Sequence, residues 1–370
     1  MEFIDLKTQQ KKLRSKIEKR ILAVLNHGKY IMGPEVFELE KQLAKYVGVR
    51  YCISCASGTD ALLIPLMAKG IGPGDAVITT PFTYIATAEV IALLGAEPVF
   101  ADIYPNTFNI DPNEIEKAIK RAKIRGLNPK AIIPVDLFGL PARHRIINEI
   151  AKNENLFIID DAAQGFGGSI RSKKAAAFGD VGSTSFFPAK PLGCYGDGGA
   201  IFTDDENLAA KMKSIRVHGS GLDKYENFRI GINGRLDTIQ AAILLEKLSI
   251  FNSELNMRNK IADYYTKKIN PQFQKPYVPE KYFSSWAQYS LLASNEDHKN
   301  KILLSLKNSN VPVMVYYKIP LHLQKCFYQL NYKPGDFPVS EDCSKRIFSL
   351  PMHPYLLKED QDKIIGIINE

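Results

Sequence analysis

Lys190 stands in Ser185-Phe186-Phe187-Pro188-Ala189-Lys190-Pro191-Leu192-Gly193, just ahead of the glycine-rich run Gly196-Asp197-Gly198-Gly199. A lysine ringed by aromatic, proline and glycine residues does not read as an ordinary surface lysine. Upstream, Phe157-Ile158-Ile159 has the texture of a buried strand and ends in two acids, Asp160 and Asp161. Burial disfavours the charged form of an amine and so leaves it nucleophilic near neutral pH. An amine of that kind, near a carboxylate at a strand end, suits the chemistry of pyridoxal phosphate. The amine forms a Schiff base with the aldehyde, and the carboxylate pairs with the protonated pyridine nitrogen. The plainer reading is a surface lysine and a helix N-cap after a strand.

These residues need a frame to hold them. From residue 50 onward, short apolar runs alternate with helical patterns. Strands are predicted at 51–54, 76–80, 97–102, 131–136, 156–160, 183–187 and 199–203. Helices are predicted at 59–68, 83–94, 113–124, 143–152, 206–216 and 236–249. The alternation predicts an α/β fold with a mostly parallel sheet covered by helices on both faces. Such sheets bind ligands beyond the carboxyl ends of their strands, where Tyr84, Asp161, Gln164 and Lys190 all fall. Two helices precede this part, at 6–27 and 35–47; the first carries Leu6, Leu13, Ile17, Ile21 and Leu25 near one face and ends at Gly28. A long helical stretch, about 236–269, leads to a C-terminal part of mixed texture, with strands near 286–293 and 313–317 and helices near 298–308 and 359–368. The expected division is a large domain over 1–250 and a small α+β domain over 251–370, with the N-terminal helix packing on either.

Composition narrows the function. The chain has 370 residues, 45% hydrophobic and 24% charged, as in ordinary globular proteins. No run approaches the roughly 18 apolar residues of a membrane span. The first residues, Met1-Glu2-Phe3-Ile4-Asp5, lack the pattern of a secretory signal, so the expected location is the cytoplasm. Five cysteines argue against a disulfide framework, and Cys52-x-x-Cys55 lacks the second pair a zinc site needs. The net charge is +8, and the densest basic run, Lys117 to Lys130, reads as a solvated helix face. No nucleic-acid motif accompanies it, although the overall field favours an anionic small substrate. The six histidines show no metal-binding spacing. Gly165-Phe166-Gly167-Gly168 does not match the dinucleotide fingerprint.

Five segments occur together in a distinctive order: Ser57-Gly58-Thr59-Asp60-Ala61-Leu62, Phe82-Thr83-Tyr84-Ile85-Ala86-Thr87, Asp161-Ala162-Ala163-Gln164, the Lys190 segment, and Asn233-Gly234-Arg235-Leu236-Asp237. In combination they resemble the DegT/DnrJ/EryC1/StrS family of sugar aminotransferases, and the likeness runs from Phe3 to Pro354. The resemblance implies the fold type I (aspartate-aminotransferase-like) architecture, pyridoxal 5'-phosphate as cofactor, and a homodimer with shared active sites. Within the family, the text from His27 to Val36 and from Lys190 to Ala200 is similar to enzymes that aminate C3 of UDP-linked 2-acetamido-3-keto sugars. A 3-keto hexuronate is the first expectation, UDP-3-keto-N-acetylglucosamine the second and a dTDP-3-keto-6-deoxyhexose the third. Glutamate is the expected amino donor, and surface polysaccharide the expected destination.

The resemblance also assigns roles. Lys190 is the expected Schiff-base lysine and proton shuttle, and Asp161 the partner of the ring nitrogen. Gln164 lies near the cofactor's phenolic oxygen or covers the ring, and Tyr84 stacks on it. Gly58 and Thr59, opening a helix, cradle the phosphate with Ser185. Asn233 reaches the phosphate from the neighbouring subunit, and Arg235 meets a substrate carboxylate or phosphate. Read locally, Asn233 and Arg235 equally suit caps of the helix that follows. Tyr316, Tyr317 and His322 are expected at the substrate, Tyr316 standing where relatives often carry His. His322 and His218 suit structural places as well. Two other functions compete: a dehydratase, whose family members tend to replace the lysine with histidine, and a non-catalytic regulator on the same scaffold. The presence of Lys190, Asp161 and Gln164 argues against both.

Overall fold

The computed structural model describes residues 1–221, 223 and 225–370. Helix α1 (Leu6–His27) is capped by Asp5, whose carboxylate accepts from Thr8 N, and stops at Gly28 in the left-handed region (φ 68°). Helix α2 (Pro34–Val47) follows. The chain then alternates through β1 (Tyr51–Cys55), α3 (Gly58–Lys69), β2 (Asp75–Thr79), α4 (Ala86–Leu93), β3 (Glu97–Phe100), α5 (Pro112–Ile124), β4 (Asn128–Ile132), α6 (His144–Glu154) and β5 (Phe157–Asp161). Short strands β6 (Ser169–Ile170) and β7 (Lys173–Lys174) precede β8 (Val181–Ser185), β9 (Gly199–Thr203) and α7 (Glu206–Arg216).

Seven of these strands form one sheet in the order β1-β9-β8-β5-β4-β2-β3. Neighbours from β8 to β3 pair in parallel, while β9 runs antiparallel to both β1 and β8. The β-branched strand residues divide between two cores. Ile53, Val77, Ile133, Ile159 and Ile201 pack with Ile64 and Leu66 of α3 and with Met212 and Ile215 of α7. Ile78, Val99, Ile132 and Ile158 pack with Ile115 and Ile119 of α5 and Ile147 of α6. This alternation of side chains between sheet faces is the period of two expected of strands covered on both sides. Sealing each large aliphatic side chain from water contributes roughly 1.5–3 kcal/mol.

Helix α8 (Thr238–Lys268) runs unbroken through residue 250 and packs against α1 and α2 at its start. It ends among C-terminal elements: β10 (Tyr282–Phe283), β11 (Tyr289–Leu292), α9 (Glu296–Asn308), α10 (Pro338–Arg346), β12 (Ile347–Leu350) and α11 (Lys358–Asn369). Tyr265, Tyr289, Leu291, Phe348 and Ile364 form the core there. Buried Arg258 of α8 ties the parts together by donating to the carbonyls of Trp286 and Met352. The strand predicted near 313–317 does not form; Met314 makes a single bridge to Ser349. Pro312 and Pro320 flank this segment and limit its ladder bonding. Instead it carries Tyr317 to the carboxyl edge of the large sheet.

Candidate active site

Helix α3 starts two residues beyond β1, with Ser57 as N-cap accepting from Asp60 N. Gly58 is the first helical residue, and a Cβ there would fall 2.5 Å from the Cβ of Ser185 at the end of β8. Only glycine lets the helix N-terminus and Ser185 converge so closely. The result is a cradle of backbone N–H groups, Thr59 and a hydroxyl, the donor set that suits a phosphate.

Asp161 ends β5 and is 3% exposed. Thr87 Oγ1, from α4, donates to its Oδ2 at 2.9 Å, and Ala163 N donates to its Oδ1 at 3.1 Å. Burial pushes this carboxyl above its usual range, while Ala163, Thr87 and Lys190 pull it back. Lys190 lies in the loop after β8, its backbone N–H bonded to Phe187 O at 2.9 Å. Its side chain is half-buried, and desolvation holds its ammonium below the ordinary lysine value against the pull of Asp161. The two groups are therefore electrostatic neighbours, and the amine is the less protonated for its surroundings.

Gln164 sits three residues on, buried, with Oε1 accepting from Phe138 N at 2.8 Å and Nε2 donating to Tyr317 Oη at 2.9 Å. Tyr317 packs edge-on against Phe82, and burial raises its phenol, with smaller electrostatic contributions from Asp161 and Tyr84. Tyr84 follows β2 and precedes α4, with its ring 58% exposed. An exposed aromatic face beside a buried acid and a desolvated amine fits a flat heteroaromatic ring. These side chains thus fit pyridoxal phosphate: a phosphate cradle at Gly58, Thr59 and Ser185, a carboxylate for the ring nitrogen, an amine for the aldehyde.

The remaining predicted residues divide. Tyr316 is half-buried, with its ring against Phe3 and Tyr317. Asn233 is exposed and bridges Val217 through its backbone. Asp237 holds the N-cap position of α8, so neither Asn233 nor Arg235 caps that helix. Arg235 is half-buried, and its Nε meets no acceptor among the described residues. His322 is not brought to the cleft group. It is 1% exposed, packs on Phe337 at 4.7 Å, and shares a 3.1 Å hydrogen bond with Glu341. Its place matches the structural alternative. His218 has positive φ (61°) and bridges by its backbone to Ile232.

One group was not visible from spacing. Asp136, His144 and Asp160 are fully buried behind Asp161, with their ligand-type atoms within 4.8 Å of one another. Asp136 Oδ1 accepts from Ala142 N and shares a 2.7 Å bond with His144 Nε2, while Asp160 Oδ2 accepts from Ala176 N and Phe178 N. Burial, then the neighbouring Asp136, pushes Asp160 up to about 8; burial raises Asp136 also and keeps His144 neutral by lowering it. A proton shared by the two acids would satisfy Asp136 Oδ2 and Asp160 Oδ1, which have no other hydrogen-bond partner among the described residues. Asp136 N donates to Asp161 O at 3.0 Å, so the cluster backs the strand end that carries Asp161. All five cysteines are free thiols.

Comparison with known proteins identifies the family. The model of the DegT/DnrJ/EryC1/StrS aminotransferase family matches residues 11–369. A Pseudomonas aeruginosa protein named UDP-2-acetamido-2-deoxy-3-oxo-D-glucuronate aminotransferase is 48% identical over 357 residues, covering 96% of each chain. A crystal structure of an aminotransferase of this family from Brucella abortus superposes with a TM-score of 0.95 at 51% identity, covering 100% of this chain and 98% of that one. NtdA from Bacillus subtilis, solved with bound cofactor PMP, gives 0.89 at 31% identity, over 99% of this chain and 82% of that one. With a fold type I sheet and a site suited to pyridoxal phosphate, the chain belongs to the DegT/DnrJ/EryC1/StrS aminotransferase family.

Proposed function

We propose that this enzyme transfers an amino group, from glutamate, to C3 of a UDP-linked 2-acetamido-3-keto hexuronate. The observation that carries the chemistry is the desolvated amine of Lys190 beside the buried carboxyl of Asp161. The choice of sugar leans on the Pseudomonas relative, which is named for a 3-oxo-glucuronate.

When bound, pyridoxal phosphate takes up an amino group on its aldehyde carbon and spreads negative charge from the reacting carbon into its ring. The protein supplies the rest. Gly58, Thr59 and Ser185 would hold the phosphate, and Asp161, fixed by Thr87 and Ala163, would accept from the ring N–H. Lys190, with its proton affinity lowered, would take the proton from the α-carbon of the amino donor as base and deliver it to the former aldehyde carbon of the cofactor as acid. Tyr84 would offer its exposed ring to the cofactor, and Gln164 and Tyr317 fix each other through their hydrogen bond. Tyr316 and Arg235 are assigned to the sugar, Arg235 because its unpartnered Nε suits an anionic group.

The same reading places the enzyme in the cytoplasm as a homodimer, with Asn233 reaching the neighbour's phosphate. The exposure of Phe228 (60%) and Ile230 (87%) close to Asn233 supports a buried partner surface there. Among the described residues no helix is long and apolar enough to cross a membrane. The test is product analysis. Enzyme, glutamate and the UDP-3-keto uronate are expected to yield 2-oxoglutarate and a 3-amino sugar by NMR. Faster turnover of UDP-3-keto-N-acetylglucosamine or a dTDP-3-keto-6-deoxyhexose would move the assignment to that sugar. No transfer to any of the three would end it.

A further inference from the structure

A second pocket opens on the border between the large sheet and the C-terminal elements. It has a volume of about 240 Å³ and is lined by Arg143, Arg145, Ile146, Tyr277, Pro279 and Tyr282. None of these residues belongs to the site around Lys190. The polar content is two guanidiniums and two phenols, a set that favours anions.

Arg143 is the residue that decides the chemistry. Among the described residues it makes no ion pair. Its guanidinium lies 4.2 Å from the Tyr104 ring centre, and Nη1 donates to Tyr104 Oη at 3.1 Å. That contact orients the side chain without neutralising it, and an arginine has five N–H donors. Arg145 differs: it is held at 2.7 Å by Glu149 on an exposed surface, so it adds field more than grip. Both guanidiniums act on the Tyr282 phenol, opposing the rise that burial gives it.

Arg143 occupies the N-cap of α6 without a side-chain cap bond, and the first turn of that helix holds no acid. Inside the fold the Asp136 carboxyl meets this helix start through Ala142 N and His144, so the positive character of the pocket rests on the two guanidiniums. Just before strand β10, Lys281 O accepts from Arg171 N at 2.7 Å, which anchors the backbone that leads into Tyr282. Against these stand Glu149 and Glu280, each already near a cation, and the buried Asp136, which acts on the Tyr282 phenol in the opposite sense to the arginines.

We propose that this pocket binds the phosphate-bearing part of a nucleoside diphosphate, with Arg143 on the phosphate and the tyrosines against the ring. The volume lies below the 300–1,000 Å³ common for whole small molecules, so it suits a phosphate and one ring rather than an entire sugar nucleotide. Tyr277 and Tyr282 offer aromatic surface for a base, and arginine matches phosphate geometry. Such a ligand bridges the start of α6 and the 277–282 segment, and so joins the large sheet to the C-terminal part.

The experiment is hydrogen exchange by mass spectrometry on the cofactor-loaded enzyme with UDP, with pyrophosphate, and with neither. UDP is expected to slow exchange in peptides covering 143–147 and 277–283, and pyrophosphate to do so less. In Arg143→Ala the apparent affinity at these peptides is expected to fall about tenfold, with the cofactor absorbance unchanged. Arg143→Lys is expected to fall between. Absence of slowing in native enzyme overturns the proposal, as does slowing that Arg143→Ala leaves intact. Equal slowing by pyrophosphate overturns the base contact. The readout needs no turnover, so its failure is separate from failure of the aminotransferase reading.

Discussion

Asp160 and Asp161 are adjacent in β5, and the pleat sends them to opposite faces. Asp161 meets Thr87 and the cleft; Asp160 meets Asp136, Ala176 and Phe178 in the interior. One acid is placed to work on a ligand and the other to hold a proton within the fold. Because folding raises Asp160 to about 8 from an unfolded value of about 4, the unfolded chain releases this proton first as pH rises. Stability from this group is thus full below about pH 4 and declines until about pH 8. Asp160→Asn, an isostere of the protonated acid, is expected to flatten that decline, read as Tm against pH. A slope equal to that of the native enzyme would refute the shared proton. At the same scale, Lys190 and Asp161 were legible because aromatic and glycine neighbours mark the lysine and an apolar strand leads to the acid. Asp136 and His144 were not, because they come from other parts of the chain and meet Asp160 only through sheet pairing.

Helix α3 and strand β8 illustrate what an element must do for the site. Their approach depends on the missing side chain of Gly58, whose replacement would meet a Cβ rather than a flexible tip. Gly58→Val is expected to weaken pyridoxal phosphate binding about tenfold or more, on the order of 1.4 kcal/mol, with little change in helix content. Absorbance titration of cofactor-free protein measures it. Most elements of the large sheet were readable from periodicity and breakers, with ends off by a few residues: the predicted strand 131–136 is Asn128–Ile132, and helix 83–94 begins at Ala86. The C-terminal part was harder. Helix α10 is short and polar, and β12 pairs with the distant β11 and bridges Met314, so neither leaves a strong local pattern. The 313–317 run looked like a strand by composition, but its job is to deliver Tyr317 to Gln164.

For the whole molecule, the proposed dimer makes each site a joint product. Asn233 is exposed on one chain and is assigned to the neighbour's phosphate. Two inactive variants should then rescue each other. Mixing Lys190→Ala with Asn233→Ala by co-expression is expected to restore about one quarter of the native activity, since half the dimers are mixed and each holds one whole site. No activity above the sum of the separate variants would point to sites contained in single chains. The sequence carried the family through five ordered motifs, but not the approach of the 277–282 segment to Arg143, which joins residues more than a hundred positions apart.

The proposed chemistry turns on the amine of Lys190, which is assigned to hold the cofactor and move the proton. The most direct measurement is the visible absorbance of purified enzyme with pyridoxal phosphate, before and after glutamate, in native protein and in Lys190→Ala. Native protein is expected to show a lysine-linked cofactor band that glutamate converts to the pyridoxamine spectrum. Lys190→Ala is expected to lack the linked band and to transfer amine about 10²- to 10⁴-fold more slowly. An unchanged band and rate in Lys190→Ala would contradict the account.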